Sequence, residues 1–203
     1  MKTLVFMGDS ITDCGRNYND DEGYGPGYPN LVASWLLGSQ PEADWKIYNR
    51  GISGNRVVDL YARWKVDCLN LNPDYISILI GVNDTWHEKE MQNGVEVPRY
   101  DKFYRMLLDW SLEKNPSVKF ILMEPFVLPF GVVKNDWLDD VAARAEVVRK
   151  IAKDYNATFV PLQCEFDEAC KRAPMEYWLK DGVHPRPAGH YLIKEAWRKA
   201  SGL

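Results

Sequence analysis

Short apolar runs alternate with longer amphipathic segments along the whole chain, and that alternation restricts the fold more than any other feature. The runs are Thr3–Met7, Lys46–Asn49, Tyr75–Ile80, Lys119–Met123 and Thr158–Pro161. Between and after them, apolar residues recur at helical spacing over Tyr28–Leu37, Arg56–Leu71, Tyr100–Lys114, Trp137–Tyr155 and Pro187–Ala200. Strands that take turns with helices pair in parallel, because each crossover lays a helix over the sheet and returns the chain to the same edge. Ile76-Ser-Ile-Leu-Ile80 has almost no polar alternation, as a strand covered on both faces requires. Pro187 suits the first turn of the last helix, where its missing N–H has no intrahelical partner. The pattern predicts an α/β chain with a five-stranded parallel sheet. Its 203 residues, 46% of them hydrophobic, suffice for one domain over 1–203 with a sizeable core. Four stretches read as irregular: Asp13–Pro29, Glu88–Arg99, Glu124–Asp136 and Lys171–Pro187.

Charge narrows the function. A net charge of −4 and a pI near 5.5 supply no basic face for a phosphate backbone, so no nucleic-acid partner is expected. No apolar stretch reaches membrane-spanning length, and no membrane partner is expected. The apolar run before Gly8 is too short for a signal-peptide core, which predicts a cytoplasmic location. Cys14, Cys68, Cys164 and Cys170 lack paired or zinc-ligand spacing, so reduced thiols and no metal are expected. Gly23-Tyr-Gly-Pro-Gly27 is followed by Tyr28 where a dinucleotide fingerprint needs glycine, and there is no Walker loop; no cofactor is expected. Gly51-Ile-Ser53-Gly-Asn55 ends in the wrong residue for the nucleophile elbow of α/β-hydrolases.

The chemistry lies at strand ends. Gly8-Asp9-Ser10 follows the first run, Asn49-Arg-Gly-Ile-Ser-Gly-Asn55 the second and Gly81-Val-Asn83-Asp84 the third, while Asp181-Gly-Val-His184-Pro185 precedes the last helix. In a doubly wound sheet all strand carboxyl ends share one edge, so these segments converge there. Each has a simpler reading. Asp9 or Ser10 could cap a helix, Asn83-Asp84 could form a turn, and Gly51 and Gly54 could serve only a tight bend. His87 and His190 compete with His184 as a base, but only His184 has Asp at i−3 and Pro after it. Together, a serine, a glycine-lined turn, an asparagine and an Asp/His pair are the parts that acyl transfer requires. Asp9 reads as a loop support; Asp13 and Arg16 are polar candidates for supporting the site.

In these four blocks the chain resembles the SGNH hydrolases, or GDSL-type esterases and lipases, with Ile11 where the first block usually has Leu. The resemblance implies a flavodoxin-like three-layer α/β/α sandwich. It also implies that Ser10 is the nucleophile, His184 its base and Asp181 the residue that orients His184. The implied oxyanion hole comprises the backbone N–H groups of Ser10 and Gly54 and the side-chain amide of Asn83. Gly8-Asp-Ser-Ile-Thr-Asp-Cys-Gly-Arg16, Arg50 to Asn55, Ala62-Arg-Trp64 and Gly81-Val-Asn-Asp-Thr-Trp86 are similar to the intracellular bacterial acetyl xylan esterases. That branch implies a small ester substrate, an acetylated xylo-oligosaccharide or related sugar, and a homo-oligomer. Trp86, Tyr177 and Trp178 could then wall the acyl pocket or stack on a sugar ring. A thioesterase or lysophospholipase would use the same machinery. A non-catalytic carbohydrate-binding module could keep the fold, and a phosphotransfer domain would use Asp9 and Asp84 around Mg²⁺.

Overall fold

The computed structural model describes residues 1–203. Five strands, β1 (Lys2–Gly8), β2 (Trp45–Asn49), β3 (Tyr75–Leu79), β4 (Lys119–Met123) and β5 (Thr158–Val160), form one sheet in the order β2-β1-β3-β4-β5. Every neighbouring pair is parallel. The helices are α1 (Ser10–Asp13), α2 (Tyr28–Ser39), α3 (Val57–Asp67), α4 (Val82–Met91), α5 (Val97–Lys114), α6 (Asn135–Asp154), α7 (Leu162–Cys170), α8 (Met175–Trp178) and α9 (Pro187–Ser201).

The period-two geometry of a strand divides the sheet between two cores. Leu4 and Phe6 point into a core with Val32 and Leu36 of α2, Phe166 of α7 and Trp197 of α9. Val5 and Met7 point the opposite way, against Leu60 and Trp64 of α3, Leu107 of α5 and Ile151 of α6. Covered on both sides, β1 is buried from Thr3 to Gly8, which is why it reads as an unbroken apolar run. Ser77 is a polar exception inside the first core: the Trp197 Nε1–H donates to its hydroxyl at 3.0 Å, so neither polar group is stranded.

The strand order positions the site. From β1 the chain moves outward to β2, then returns to β3 on the other side of β1. That reversal leaves a crevice beyond the ends of β1 and β3, whose Gly8 and Leu79 are level in register. Ser10 follows one of these strands and Asn83 the other.

Two expectations need correction. Glu88–Arg99 is largely helical, with α4 running to Met91 and α5 starting at Val97, before Pro98. Residues 162–170, left without an element by the periodicity, form α7. In α4 the residues buried in the first turn are Val82, Asn83, Asp84 and Thr85, so its inward face is mostly polar and gives no hydrophobic stripe to read.

Candidate active site

Ser10 opens α1 directly after β1. Asp9 caps that single turn, its Oδ1 accepting the Ile11 N–H at 3.0 Å. Cap and half-buried hydroxyl are therefore separate, adjacent residues. The Ser10 Oγ lies 2.9 Å from His184 Nε2, and His184 Nδ1 lies 2.8 Å from Asp181 Oδ2. A carboxylate can only accept, so Nδ1 carries the proton and Nε2 is left to accept from the serine O–H.

The three-residue spacing of Asp181 and His184 has a structural reason. Asp181 Oδ1 accepts the backbone N–H of Val183 at 3.0 Å and of His184 at 2.8 Å, leaving Oδ2 for the ring. One carboxylate thus folds the turn and aims the imidazole. Burial opposes its ionisation, but the hydrogen bonds from His184 and Val183 outweigh that and hold Asp181 below the usual carboxylate range. The segment is braced from outside by the loop after β4, where Leu128 N–H donates to Gly182 O and Val132 N–H to Asp181 O.

The glycine-lined turn after β2 is fastened under Ser10. Ile52 N–H donates to Gly8 O at 3.1 Å, and Asp13 Oδ2 accepts from both the N–H and the hydroxyl of Ser53, at 3.0 and 2.8 Å. Arg16 Nε donates to Gly51 O at 2.8 Å, so Asp13 and Arg16 both support this turn. A side chain at Gly51 would run into the Asp13 backbone, and Gly54 has a φ of 82°, in the left-handed region. The Gly54 N–H has no acceptor within the chain. One amide proton of Asn83 goes to Asn55 O at 3.0 Å, leaving the second free to donate. The blocks around Ser10 are thereby linked from Asp13 through Ser53 and Asn55 to Asn83.

The cleft at Ser10 and His184 has a volume of about 460 Å³ and is bordered by Cys14, Gly15, Pro26 and Lys180. Trp86, on α4, packs against the His184 ring at 5.9 Å between centroids and is backed by Trp137 at 5.2 Å. The other two aromatics lie elsewhere. Trp178 is a core residue, 8% exposed, with its Nε1–H donated to Ala173 O, so its face cannot stack on a sugar. Tyr177 is exposed, leans edge-on against Trp178 and does not border the cleft.

Neither competing histidine pairs with Ser10. His190 is buried, accepts the Tyr28 N–H on Nδ1 at 3.1 Å and meets Cys14 Sγ through Nε2 at 3.3 Å. Burial, with Lys180 and His184 nearby, lowers its pKa to about 4, so it stays neutral. His87 is half-buried with the charges of Arg56 and Asp59 near it, and the Ser10 hydroxyl pairs with His184 instead. Asn49 went unrecognised in the sequence, although it sits in the second block. Its buried amide donates to Thr12 O and Tyr24 O while its Oδ1 accepts the Gly51 N–H, joining three loops.

Asp9 and Asp84 are buried rather than displayed in an acidic pocket. Burial raises Asp9 to about 6 and Asp84 to about 7. The folded chain therefore keeps protons that the unfolded chain releases near the usual value of about 3.9. More protons bound in the native state means that stability falls as pH rises through that window. Asp9→Asn, which preserves the Ile11 cap acceptor, is expected to flatten the decline in Tm between about pH 4 and 6, from the unfolded to the folded pKa of Asp9. An unchanged slope would show that Asp9 is not a source of it.

Comparison with known proteins shows the family of the chain. The GDSL-like Lipase/Acylhydrolase family profile covers residues 6–192. The chain belongs to that family, and it is a carboxylic ester hydrolase with the SGNH hydrolase fold. It is 38% identical to an acetylxylan esterase of Geobacillus stearothermophilus over 98% of this chain and 94% of the relative. The crystal structure of the Geobacillus stearothermophilus acetylxylan esterase Axe2 aligns with a TM-score of 0.89 at 35% identity, covering 100% of this chain and 94% of that one. A Parabacteroides merdae chain assigned as a GDSL-like lipase aligns with a TM-score of 0.95 at 41% identity, covering 99% and 95%.

Proposed function

We propose that the protein removes acetyl groups from acetylated xylo-oligosaccharides or related sugars by a two-step serine esterase mechanism. The observation that carries this reading is the continuous hydrogen-bonded series from Ser10 Oγ through His184 to Asp181 at the mouth of a cleft. Ser10 Oγ attacks the acetyl carbonyl as its proton passes to His184 Nε2. Ser10 N–H, Gly54 N–H and the free Asn83 amide proton stabilise the negative charge that grows on the carbonyl oxygen. Collapse of the intermediate expels the sugar alkoxide, which takes the proton from His184 and leaves acetyl-Ser10. Water repeats the sequence, releasing acetate and restoring the serine.

Trp86 packs against the His184 ring, which supports a short acyl group at this site. Its apolar face suits an acetyl methyl or a sugar ring. Similarity to the Geobacillus stearothermophilus acetylxylan esterase supports the same choice. The reading takes the whole chain as one catalytic domain, working without metal or cofactor in the cytoplasm as a homo-oligomer. No helix is long and apolar enough to cross a membrane. Hydrolysis of p-nitrophenyl acetate should exceed that of the octanoate ester, and acetylated xylo-oligosaccharides should release acetate. Preference for octanoate, or for an acyl thioester, would instead favour a lysophospholipase or thioesterase.

Asn83→Ala is expected to lower kcat about 10²–10³-fold with little change in KM, because its amide is used chiefly as charge develops. Parallel steady-state measurements on p-nitrophenyl acetate check this; a rise in KM alone would assign Asn83 to ground-state binding.

A further inference from the structure

Asn83 and Asp84 are neighbours in the first turn of α4, and both hold the segment that leads from Gly54 into α3. We infer that Asp84 is a positioning residue for ester hydrolysis, a buried carboxylate that fixes the Gly54 turn to the Asn83 helix and so sets the separation of two oxyanion donors. This rests on the reading that Ser10 attacks an ester carbonyl. Asn83 Nδ2 donates to Asn55 O at 3.0 Å, while the Val57 N–H donates to Asp84 at 3.1 Å from Oδ1 and 3.2 Å from Oδ2. Adjacent residues on one helix thus hold the turn one and three positions beyond Gly54.

Asp84 is completely buried, where a carboxylate is costly and an apolar side chain of its size would not be. The carboxylate supplies an acceptor for one of the N–H groups left unpaired at the start of α3. A buried cation stands behind it. Arg144 of α6 is 1% exposed and pairs with Asp140 at 3.0 Å. Its Nε donates to Thr85 Oγ1 at 2.9 Å, and its guanidinium lies 5.3 Å from the centre of the Tyr100 ring. Arg144 Nη1 has no hydrogen-bond partner, and the guanidinium charge offsets part of the cost that burial imposes on the Asp84 carboxylate. Thr85 follows Asp84 directly, so the first turn of α4 is tied to α3 on one side and α6 on the other. Asp84 lies behind the donors and acts through them, without touching substrate.

The test measures kcat and KM on p-nitrophenyl acetate for Asp84→Ala, Asp84→Asn and each combined with Asn83→Ala, with circular dichroism and cooperative melting to establish folding. Asp84→Ala is expected to lower kcat about 10²-fold while KM stays within about 3-fold, because misplaced donors fail chiefly in the transition state. Asp84→Asn keeps one of the two oxygens that accept from Val57 and replaces the other by an NH₂ group, so it should recover only part of that loss, leaving kcat about 3- to 10-fold below wild type. In combination with Asn83→Ala the loss should be clearly smaller than the product of the two, since both changes damage one device. A folded Asp84→Ala enzyme with kcat within about 3-fold of wild type, or losses that multiply fully, would overturn the inference. If Asp84→Ala does not fold, Asp84→Asn decides alone: a loss of about 3- to 10-fold in kcat at constant KM supports it, and an unchanged kcat overturns it. Wild-type ester hydrolysis and labelling of Ser10 distinguish failure of this inference from failure of the esterase reading.

Discussion

Ser10→Ala is expected to lower kcat for p-nitrophenyl acetate by about 10⁶-fold, the scale seen when a serine triad loses its nucleophile. The size follows from what one oxygen does. In the proposed mechanism its attack forms the covalent intermediate and its proton passes to His184, so without it neither half-reaction has a route through the enzyme. Residual hydrolysis should come only from binding the ester near the remaining oxyanion donors. Stability should hardly change. The hydroxyl is half-buried, its hydrogen-bond partner is His184, and the α1 cap belongs to Asp9. Single-turnover assays would test both halves: wild type should release a burst of p-nitrophenol under conditions of slow deacylation, and the variant none. A folded Ser10→Ala protein with near-normal turnover would remove the nucleophile from this serine.

Asp181→Asn is expected to cost about 10⁴-fold in kcat for a different reason, the wrong imidazole tautomer. The amide oxygen can still accept from Val183 and His184, so the turn that carries the histidine should survive. Its NH₂ would face His184 Nδ1 and donate where the carboxylate accepted. That places the imidazole proton on Nε2, which then points a donor at Ser10 and cannot take its proton. Steady-state kinetics and melting measured on the same preparation check this. A near-wild-type Tm with the large loss in kcat fits a tautomer effect. A collapse in Tm would mean that the carboxylate serves mainly the Asp181–His184 turn, and unchanged kcat would mean that His184 needs no orienting group.

The sheet could be read from the sequence because β1, β3 and β4 are buried on both faces, so their apolar runs stand out from the amphipathic helices between them. The Ser10, Gly54, Asn83 and Asp181–His184 blocks were legible for a related reason: each is a compact group of polar residues or glycines beside an element that reads clearly. α4 was not, since its buried first turn is Asn83, Asp84 and Thr85 as well as Val82. Trp178 was misplaced because an indole before the Asp–His segment looks the same in sequence whether it faces a cleft or the core. Trp86 lies against the His184 ring. The contacts that tie the site together were the least legible. Asn49 reaches Thr12 and Tyr24, and Asp84 reaches Val57, across loops whose approach depends on sheet order and carries no local pattern.

Labelling with a serine-directed fluorophosphonate, followed by peptide mass spectrometry, tests the assignment of Ser10 most directly. Activated serine oxygens are far more reactive than ordinary hydroxyls, so the reagent reports the nucleophile independently of substrate choice. The expected result is one adduct per chain on Ser10, formed in step with loss of esterase activity and absent from the Ser10→Ala and His184→Ala proteins. An adduct on another residue, or full inhibition that leaves Ser10 unmodified, would contradict it.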